Sequence, residues 1–123
     1  MKALLVDDSR AMRMILARTL KEIGFEVTEA GHGLEALERL RTSGPFDLAL
    51  VDWNMPEMDG LTFVTAVRTG QLATAMRIVM VTTESEADRV AAALAAGADE
   101  YVTKPFTKDA LTSKLSMIGL LGV

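Results

Sequence analysis

Five polar residues at well separated positions could together bind a metal ion and a phosphoryl group. Each follows a short, largely apolar run, and the five are Asp7, Asp8, Asp52, Thr82 and Lys104. Three carboxylates that lie close together repel one another unless a cation or a proton offsets their charge. Ligands that are all oxygens favour a hard cation, and a site with few protein ligands favours Mg²⁺ over Ca²⁺ because Mg²⁺ keeps several waters. The three aspartates therefore predict a Mg²⁺ site.

Asp52 is the acid best placed to react, because it is a single carboxylate between an acid pair and the two residues that could hold a product. A carboxylate is a competent nucleophile towards phosphorus and gives an acyl phosphate. Lys104 supplies a compact positive charge, and the hydroxyl of Thr82 can donate a hydrogen bond to a phosphoryl oxygen. Thr83 could instead take that role or cap the next helix, but the end of the apolar run favours Thr82. We therefore interpret Asp52 as a phosphoryl acceptor.

Apolar runs predict the strands that would bring these residues together. Residues 4–6, 48–51 and 78–81 are continuously apolar, which is typical of strands buried on both faces of a parallel sheet, and 25–30 and 101–103 indicate two weaker strands. Five β-then-α units predict an α/β fold with a doubly wound, five-stranded parallel sheet and helices on both faces. In such sheets ligands bind beyond the carboxyl ends of the strands, where the strand order reverses.

Apolar residues at helical spacing predict one helix after each strand. The five stripes are Met12, Ile15, Leu16, Thr19, Leu20 and Ile23; Leu34, Leu37 and Leu40; Leu61, Val64 and Val67; Val90 and Leu94, in a helix that ends at Gly97; and Leu111, Leu115 and Ile118.

Arg10 and Arg13 lie close to the acid pair, where they could dock a partner or face solvent. We expect Trp53 to be a partly exposed neighbour of the site.

Composition limits the class of protein. The 123 residues are 50% hydrophobic and 24% charged, which predicts one compact domain over residues 1–123 with no output domain. The net charge of −4 argues against nucleic acid as a partner, and the absence of cysteine excludes disulfides and thiolate metal sites. No apolar segment is long enough for a signal peptide or a membrane span, so we expect a cytoplasmic protein with no membrane partner.

At the five polar residues the sequence resembles the receiver domain of two-component response regulators, over essentially its whole length. The motifs that carry the resemblance are Asp7-Asp8, LVDWNMPEMDG at 50–60, VTTE at 81–84 and GADEYVTKPF at 97–106. Among receivers the chain is most similar to the single-domain CheY type. The resemblance implies a flavodoxin-like fold with strand order 2-1-3-4-5.

The resemblance also implies a role for each matching residue. Asp52 would accept a phosphoryl group from a phosphohistidine on a histidine kinase. Asp8, Asp52 and the main-chain carbonyl of Asn54 would bind Mg²⁺ with help from Asp7, and Thr82 and Lys104 would hold the phosphoryl oxygens.

The same resemblance implies a conformational switch and a cis peptide bond. Thr82 and Tyr101 would move on phosphorylation and change the affinity of the fourth helix, fifth strand and fifth helix for a protein target. The peptide before Pro105 would be cis. Enteric CheY proteins carry two lysines early in the fourth helix where this chain has Glu86 and Ala87, so the resemblance does not extend to motor binding. We expect a monomeric chemotaxis-type switch, with a phosphorelay or kinase-regulating receiver as the alternative.

Other classes of protein fit the sequence less well. An aspartate-nucleophile Mg²⁺ phosphatase needs a second acid two residues after the nucleophile, where this chain has Asn54, so we expect no turnover of external substrates. A flavodoxin-like electron carrier needs a phosphate-binding loop after the first strand, where two aspartates would repel the phosphate. A pseudo-receiver scaffold would not need this set of polar residues. His32 is a poor candidate for an internal phosphodonor, so the donor is expected to be another protein.

Overall fold

A computed structural model describes residues 1–53, 58–71, 75–82 and 87–121, without the side chains of residues 87 and 88. Asn54, Thr83 and Glu86, which the sequence analysis considered, lie outside the described residues, as does the side chain of Ala87. In the part of the chain that is described, no helix is long and apolar enough to cross a membrane.

Strands and helices alternate along the chain. In order they are β1 (Lys2–Val6), α1 (Arg10–Ile23), β2 (Glu26–Ala30), α2 (Gly33–Ser43), β3 (Leu48–Asp52), α3 (Gly60–Thr69), β4 (Arg77–Thr82), α4 (Ala87–Ala96), β5 (Glu100–Thr103) and α5 (Lys108–Met117). The five strands are parallel in the order β2-β1-β3-β4-β5, which confirms the predicted fold class and strand order. The order reverses between β1 and β3, so a ligand site is expected at their carboxyl ends.

The sheet has a separate hydrophobic core on each face. Alternate residues of β1 point to opposite faces, so Leu4 and Val6 belong to one core and Ala3 and Leu5 to the other. The first core packs against α2, α3 and α4, and the second against α1 and α5. Every residue of β3 is buried, as the continuous apolar run predicted.

Three residues of the predicted helical stripes are exposed instead of buried. Ile15 is 61% exposed, because α1 packs on the sheet through Leu16, Ala17 and Leu20 and these residues turn Ile15 away. Leu34 is 51% exposed, since about 200° of helical rotation separates it from Ala36, which is the residue buried against the sheet. Leu94 is 42% exposed on α4, where the adjacent Ala93 is buried. In all three helices an alanine, which the apolar spacing gave little weight, lies on the buried face.

Helix caps fix the loops that leave the strands. The hydroxyl of Ser9 accepts a hydrogen bond from Met12 N at 3.2 Å and starts α1 two residues after Asp7. The imidazole of His32 caps α2 by accepting from Glu35 N at 3.2 Å, so His32 has a structural contact there. The fourth helix ends before Gly97, as predicted, where a φ of 120° favours glycine.

Candidate functional site

Asp7 directly follows β1 and is almost completely buried. Its main-chain nitrogen donates to the carbonyl of Ala30 at 3.1 Å, and its Oδ1 accepts from Ser9 N at 2.8 Å. Its Oδ2 is buried and has no hydrogen-bond partner. The nearest cation, Lys104 Nζ, is 3.5 Å from Oδ2, which is long for a hydrogen bond. Asp7 therefore presents a fixed carboxylate oxygen with spare capacity to bind a cation.

Asp52 ends β3 at the same edge of the sheet. It is 7% exposed, and its Oδ1 lies 3.4 Å from Lys104 Nζ. Lys104 directly follows β5, and its main-chain nitrogen donates to the carbonyl of Thr82 at 2.7 Å. Lys104 thus lies between two buried acids and forms a long ion pair with each.

Three of the four predicted metal ligands come together at this edge. One carboxylate oxygen from each of Asp7, Asp8 and Asp52 lies within 4.8 Å of the others, and among the described residues these three form the only such group of acidic, histidine or cysteine side chains. Asp7 and Asp52 are buried, whereas Asp8 is exposed. We call these three residues the acid cluster.

Burial and like charge act together on Asp52. Desolvation raises the pKa of its carboxyl group from 3.8 to about 6, and the negative charge of Asp7 adds to the rise. Lys104 lowers the pKa, but by less than these two effects raise it. The acid cluster is therefore short of positive charge even with Lys104 beside it.

The acid cluster fits the Mg²⁺ that the sequence predicts at this edge. Its ligand atoms are hard carboxylate oxygens, one of them the buried Oδ2 of Asp7 that lacks a hydrogen-bond partner. A divalent cation there would supply the missing charge and give Oδ2 a partner. Asp7, Asp8 and Asp52 are the described residues that could hold the ion.

Thr82 and Tyr101 lie on β4 and β5, the two strands that follow β3 in the order of the sheet. Thr82 is the last residue of β4 and is buried, one position beyond Val81, which pairs with Asp52. Tyr101 is half-buried on the edge strand β5 and packs against the core on the side of α2, α3 and α4. The ammonium group of Lys114 lies 4.6 Å from the centre of its ring. Thr82 therefore lies beside Asp52 at the end of β4, and Tyr101 lies one strand further from β3.

Trp53 is buried, and the prediction that it would be partly exposed is wrong. Only 5% of its surface is accessible, because it packs into the core on the side of α2, α3 and α4. Its main-chain nitrogen donates to the carbonyl of Val81 at 3.2 Å and extends the sheet pairing beyond β3. The guanidinium carbon of Arg89, on α4, lies 5.7 Å from the centre of the Trp53 ring.

Gly60 and Arg13 support the site in ways that the sequence did not reveal. A Cβ atom on Gly60 would lie 2.8 Å from the carbonyl oxygen of Asp52, so only glycine fits there without a shift. Arg13 donates from Nη1 to the carbonyl of Asp7 at 2.7 Å, which is neither of the two roles considered for it. The sequence signal for this contact is that Arg13 lies one helical turn after Ser9, the residue that caps α1.

The peptide between Lys104 and Pro105 is cis, as predicted.

Known proteins resemble this chain in both sequence and structure. The response regulator receiver domain family matches residues 3–116. Chemotaxis protein CheY1 of Helicobacter pylori is 44% identical over 119 residues, which cover 96% of each protein. A chemotaxis protein CheY homolog of Campylobacter jejuni is 46% identical over 116 residues, which cover 94% of this chain and 89% of that protein.

Solved structures give the same result. Chemotaxis protein CheY4 of Vibrio cholerae has a TM-score of 0.86 at 37% identity, covering 95% of this chain and 97% of that one. A putative response regulator from Chloroflexus aurantiacus has a TM-score of 0.87 at 32% identity, covering 95% of both chains. CheY-like receivers are signalling proteins and do not turn over external substrates as enzymes do. The chain belongs to the response regulator receiver domain family and is a CheY-like response regulator of two-component signalling.

Proposed function

We propose that Asp52 accepts a phosphoryl group from a phosphohistidine on a partner histidine kinase in a Mg²⁺-dependent reaction. The observation that carries the proposal is the position of Asp52. Its carboxylate lies in the acid cluster with Lys104 Nζ 3.4 Å away, so a nucleophile, metal ligands and a fixed cation occupy one sheet edge. This is the set of groups that transfer to a carboxylate needs.

The proposed transfer uses the residues as follows. A carboxylate oxygen of Asp52 attacks phosphorus, the new oxygen–phosphorus bond forms as the phosphorus–nitrogen bond breaks, and the bonding electron pair returns to the imidazole nitrogen. Asp52 must be ionised to attack, and a pKa of about 6 leaves most of it ionised at neutral pH. Lys104 would pair with a phosphoryl oxygen of the product, and the hydroxyl of Thr82 would donate to another.

Asp7, Asp8, Asp52 and the main-chain carbonyl of Asn54 would hold the Mg²⁺. When bound, the ion supplies positive charge to the phosphoryl oxygens during the transfer. Asp7 is held in place by its contacts with Ala30 and Ser9, so its spare oxygen would not need to move to bind the ion.

Phosphorylation of Asp52 would change a surface used for partner binding. We place that surface on α4, β5 and α5, with Thr82 and Tyr101 as the residues that transmit the change. Thr82 and Tyr101 lie on neighbouring strands, β4 and β5, and the main chains of Thr82 and Lys104 are hydrogen-bonded. A shift at Thr82 therefore has a direct connection to β5.

The target is proposed to be a component of a chemotaxis pathway. The relatives from Helicobacter pylori and Campylobacter jejuni are both named as chemotaxis proteins, and each matches more than nine-tenths of this chain. Glu86 and Ala87 replace the two lysines of the enteric type, so the contact with the motor would differ from the enteric one. Partner capture from lysate with and without beryllofluoride tests the pathway. A motor component retained only with beryllofluoride supports chemotaxis, whereas a kinase or a phosphotransfer protein alone supports a phosphorelay.

Transfer from a phosphorylated histidine kinase domain tests the central proposal. The wild-type chain should acquire hydroxylamine-labile phosphate when Mg²⁺ is present and none when EDTA removes it. Asp52→Asn should acquire none, because an amide does not attack phosphorus. Glu38→Gln, which removes an exposed carboxylate on α2, should react like the wild type. Labelling of Asp52→Asn at the wild-type rate would show that the proposal is wrong.

A further inference from the structure

Arg13 contacts the loop that carries the first two acids of the acid cluster. We propose that Arg13 is a positioning residue, which orients the Asp7–Asp8 peptide and thereby prepares both carboxylates to bind Mg²⁺. The inference rests on the proposed function, because it assigns a residue that supports the metal site. Arg13 itself does not touch the ion in this proposal.

The position of Arg13 on α1 explains how it reaches the loop. It is the fourth residue of the helix, and helical side chains point back towards the N-terminus. Its Nη1 donates to the carbonyl of Asp7 at 2.7 Å, and its Nε lies 3.2 Å from Glu29 Oε1 at the end of β2. The side chain is 19% exposed, so both contacts are partly shielded from water. One guanidinium thus connects α1, the β1–α1 loop and β2.

The carbonyl that Arg13 holds belongs to the peptide that determines where Asp8 points. A peptide unit is planar, so the oxygen of Asp7 and the nitrogen of Asp8 turn together. Fixing the carbonyl therefore fixes the direction from which the side chain of Asp8 leaves the chain. Asp8 is exposed, and among the described residues its carboxylate has no hydrogen bond that could set this direction instead.

Other contacts restrain Asp7, and Arg13 adds a direct side-chain contact to the carbonyl of the Asp7–Asp8 peptide. The nitrogen of Asp7 is bonded to Ala30, and its Oδ1 is bonded to Ser9 N. The contact with Ser9 N spans the Asp7–Asp8 peptide and restrains it in part, whereas the hydrogen bond from Arg13 holds the carbonyl oxygen itself. Without Arg13 we expect that carbonyl to turn towards water, and Asp8 to lose the orientation that places it within 4.8 Å of the other two ligand atoms.

Whether removal of Arg13 weakens or strengthens Mg²⁺ binding distinguishes a positioning role from a purely electrostatic one. Arg13 is positive, so if it acted only through its charge, its removal would strengthen binding of a cation. If it orients the two acids, its removal weakens binding. Arg18 is an exposed arginine on the same helix and provides a matched removal of one positive charge.

Mg²⁺ titration of the full chain tests the proposal, with Trp53 fluorescence or calorimetry as the readout. Trp53 is the only tryptophan and is adjacent to Asp52. Arg13→Ala should raise the Mg²⁺ dissociation constant about tenfold, as expected for loss of a contact that orients a metal ligand. Arg18→Ala should leave it within about twofold of wild type, because an exposed charge is screened. Arg13→Lys keeps the charge and can reach one acceptor, so its value should lie between wild type and Arg13→Ala.

Two results would overturn the inference. One is a dissociation constant for Arg13→Ala that lies within about twofold of the Arg18→Ala value. The other is tighter binding by Arg13→Ala than by wild type. Thermal unfolding in EDTA shows whether Arg13→Ala is folded, and if it is not, Arg13→Lys compared with Arg18→Lys decides, with weaker binding expected only for Arg13→Lys. Absence of Mg²⁺ binding by the wild type would instead contradict the proposed metal site, and the role of Arg13 with it.

Discussion

Buried charges are paired differently at the two ends of the parallel strands, which we call the amino edge and the carboxyl edge of the sheet. At the amino edge, Asp99 Oδ2 accepts from Ile78 N at 2.8 Å and from Arg68 Nη2 at 3.0 Å. Arg68 also donates to the carbonyls of Gly97 at 3.0 Å and Met76 at 2.7 Å. The partly buried Asp99 and Arg68 are thus paired with each other and with main-chain groups of β4 and of the segments that precede β4 and β5. The charges of both side chains therefore have partners at this edge.

At the carboxyl edge the same fold gathers acids that are not satisfied. Asp7 and Asp52 share one lysine at 3.5 and 3.4 Å, one carboxylate oxygen lacks a hydrogen bond, and the pKa of Asp52 rises to about 6. Burying charge in this way lowers stability unless another group compensates. The difference indicates that the amino edge stabilises the sheet, whereas the carboxyl edge lowers its stability. Under the proposed function, this loss of stability accompanies the ability to bind a cation and a phosphoryl group.

Removing Asp99 should give the largest loss of stability. Asp99→Ala takes away the side-chain acceptor of Ile78 N and the negative charge beside Arg68. Since both side chains are partly exposed, we expect a loss of about 2–3 kcal/mol, below the cost of breaking a fully buried pair. Urea unfolding at pH 7 measures it.

Asp99→Asn is the matched control for that prediction. The amide oxygen can still accept from Ile78 N but carries no charge for Arg68, so we expect a smaller loss than for alanine. A free energy of unfolding for Asp99→Ala equal to that of wild type would mean that the amino edge is not a stabilising network.

An Asp→Asn substitution at the carboxyl edge should raise the free energy of unfolding, whereas at the amino edge it should lower it. The folded state holds the proton of Asp52 more tightly than the unfolded chain, because its pKa is raised from 3.8 to about 6. The contribution of this proton to wild-type stability is therefore fully present below pH 3.8 and is lost as the pH rises through about 6. Asparagine does not titrate, so Asp52→Asn should be more stable than wild type at pH 7 without Mg²⁺, by about 3 kcal/mol. Urea unfolding in EDTA at several pH values measures the gain.

The pH dependence is the decisive part of this prediction. The gain from Asp52→Asn should disappear near pH 3.5, where the wild-type carboxyl is already protonated, a point slightly below its ordinary pKa of 3.8. Glu38→Gln, at an exposed acid, should show no comparable gain at any pH. A destabilised Asp52→Asn at pH 7 would indicate that Lys104 compensates Asp52 fully and that the contrast between the two edges is absent.

The sequence predicted the strand ends well because a buried parallel strand has a simple pattern. A continuous apolar run stops where the chain leaves the sheet, so the residue after it had to lie at the carboxyl edge. Asp7 and Lys104 lie there directly after their strands, and Asp52 and Thr82 are the last residues of theirs. The chemistry of the acid cluster followed from those positions and the residue types, without knowledge of any distance.

Exposure and side-chain contacts were harder to predict, because they depend on neighbours far away in sequence. Trp53 is buried because it packs into the core on the side of α2, α3 and α4, and Ile15 is exposed because Leu16 and Leu20 form the inner face of α1. The contact between Arg13 and the Asp7 carbonyl needs the path of a long, flexible side chain. No local period encodes such a path.

Mg²⁺ should remove part of the difference between the two edges. If the ion binds the acid cluster only in the folded state, a concentration of about ten times its dissociation constant adds about 1.4 kcal/mol to the free energy of unfolding. Urea unfolding at pH 7 with and without Mg²⁺ measures this gain. Asp99→Asn keeps the acid cluster and should show the same gain as wild type, whereas Asp52→Asn lacks one ligand and should gain much less. Equal gains in the wild type and in Asp52→Asn would place the bound cation elsewhere, and the excess of negative charge at the carboxyl edge would then need another explanation.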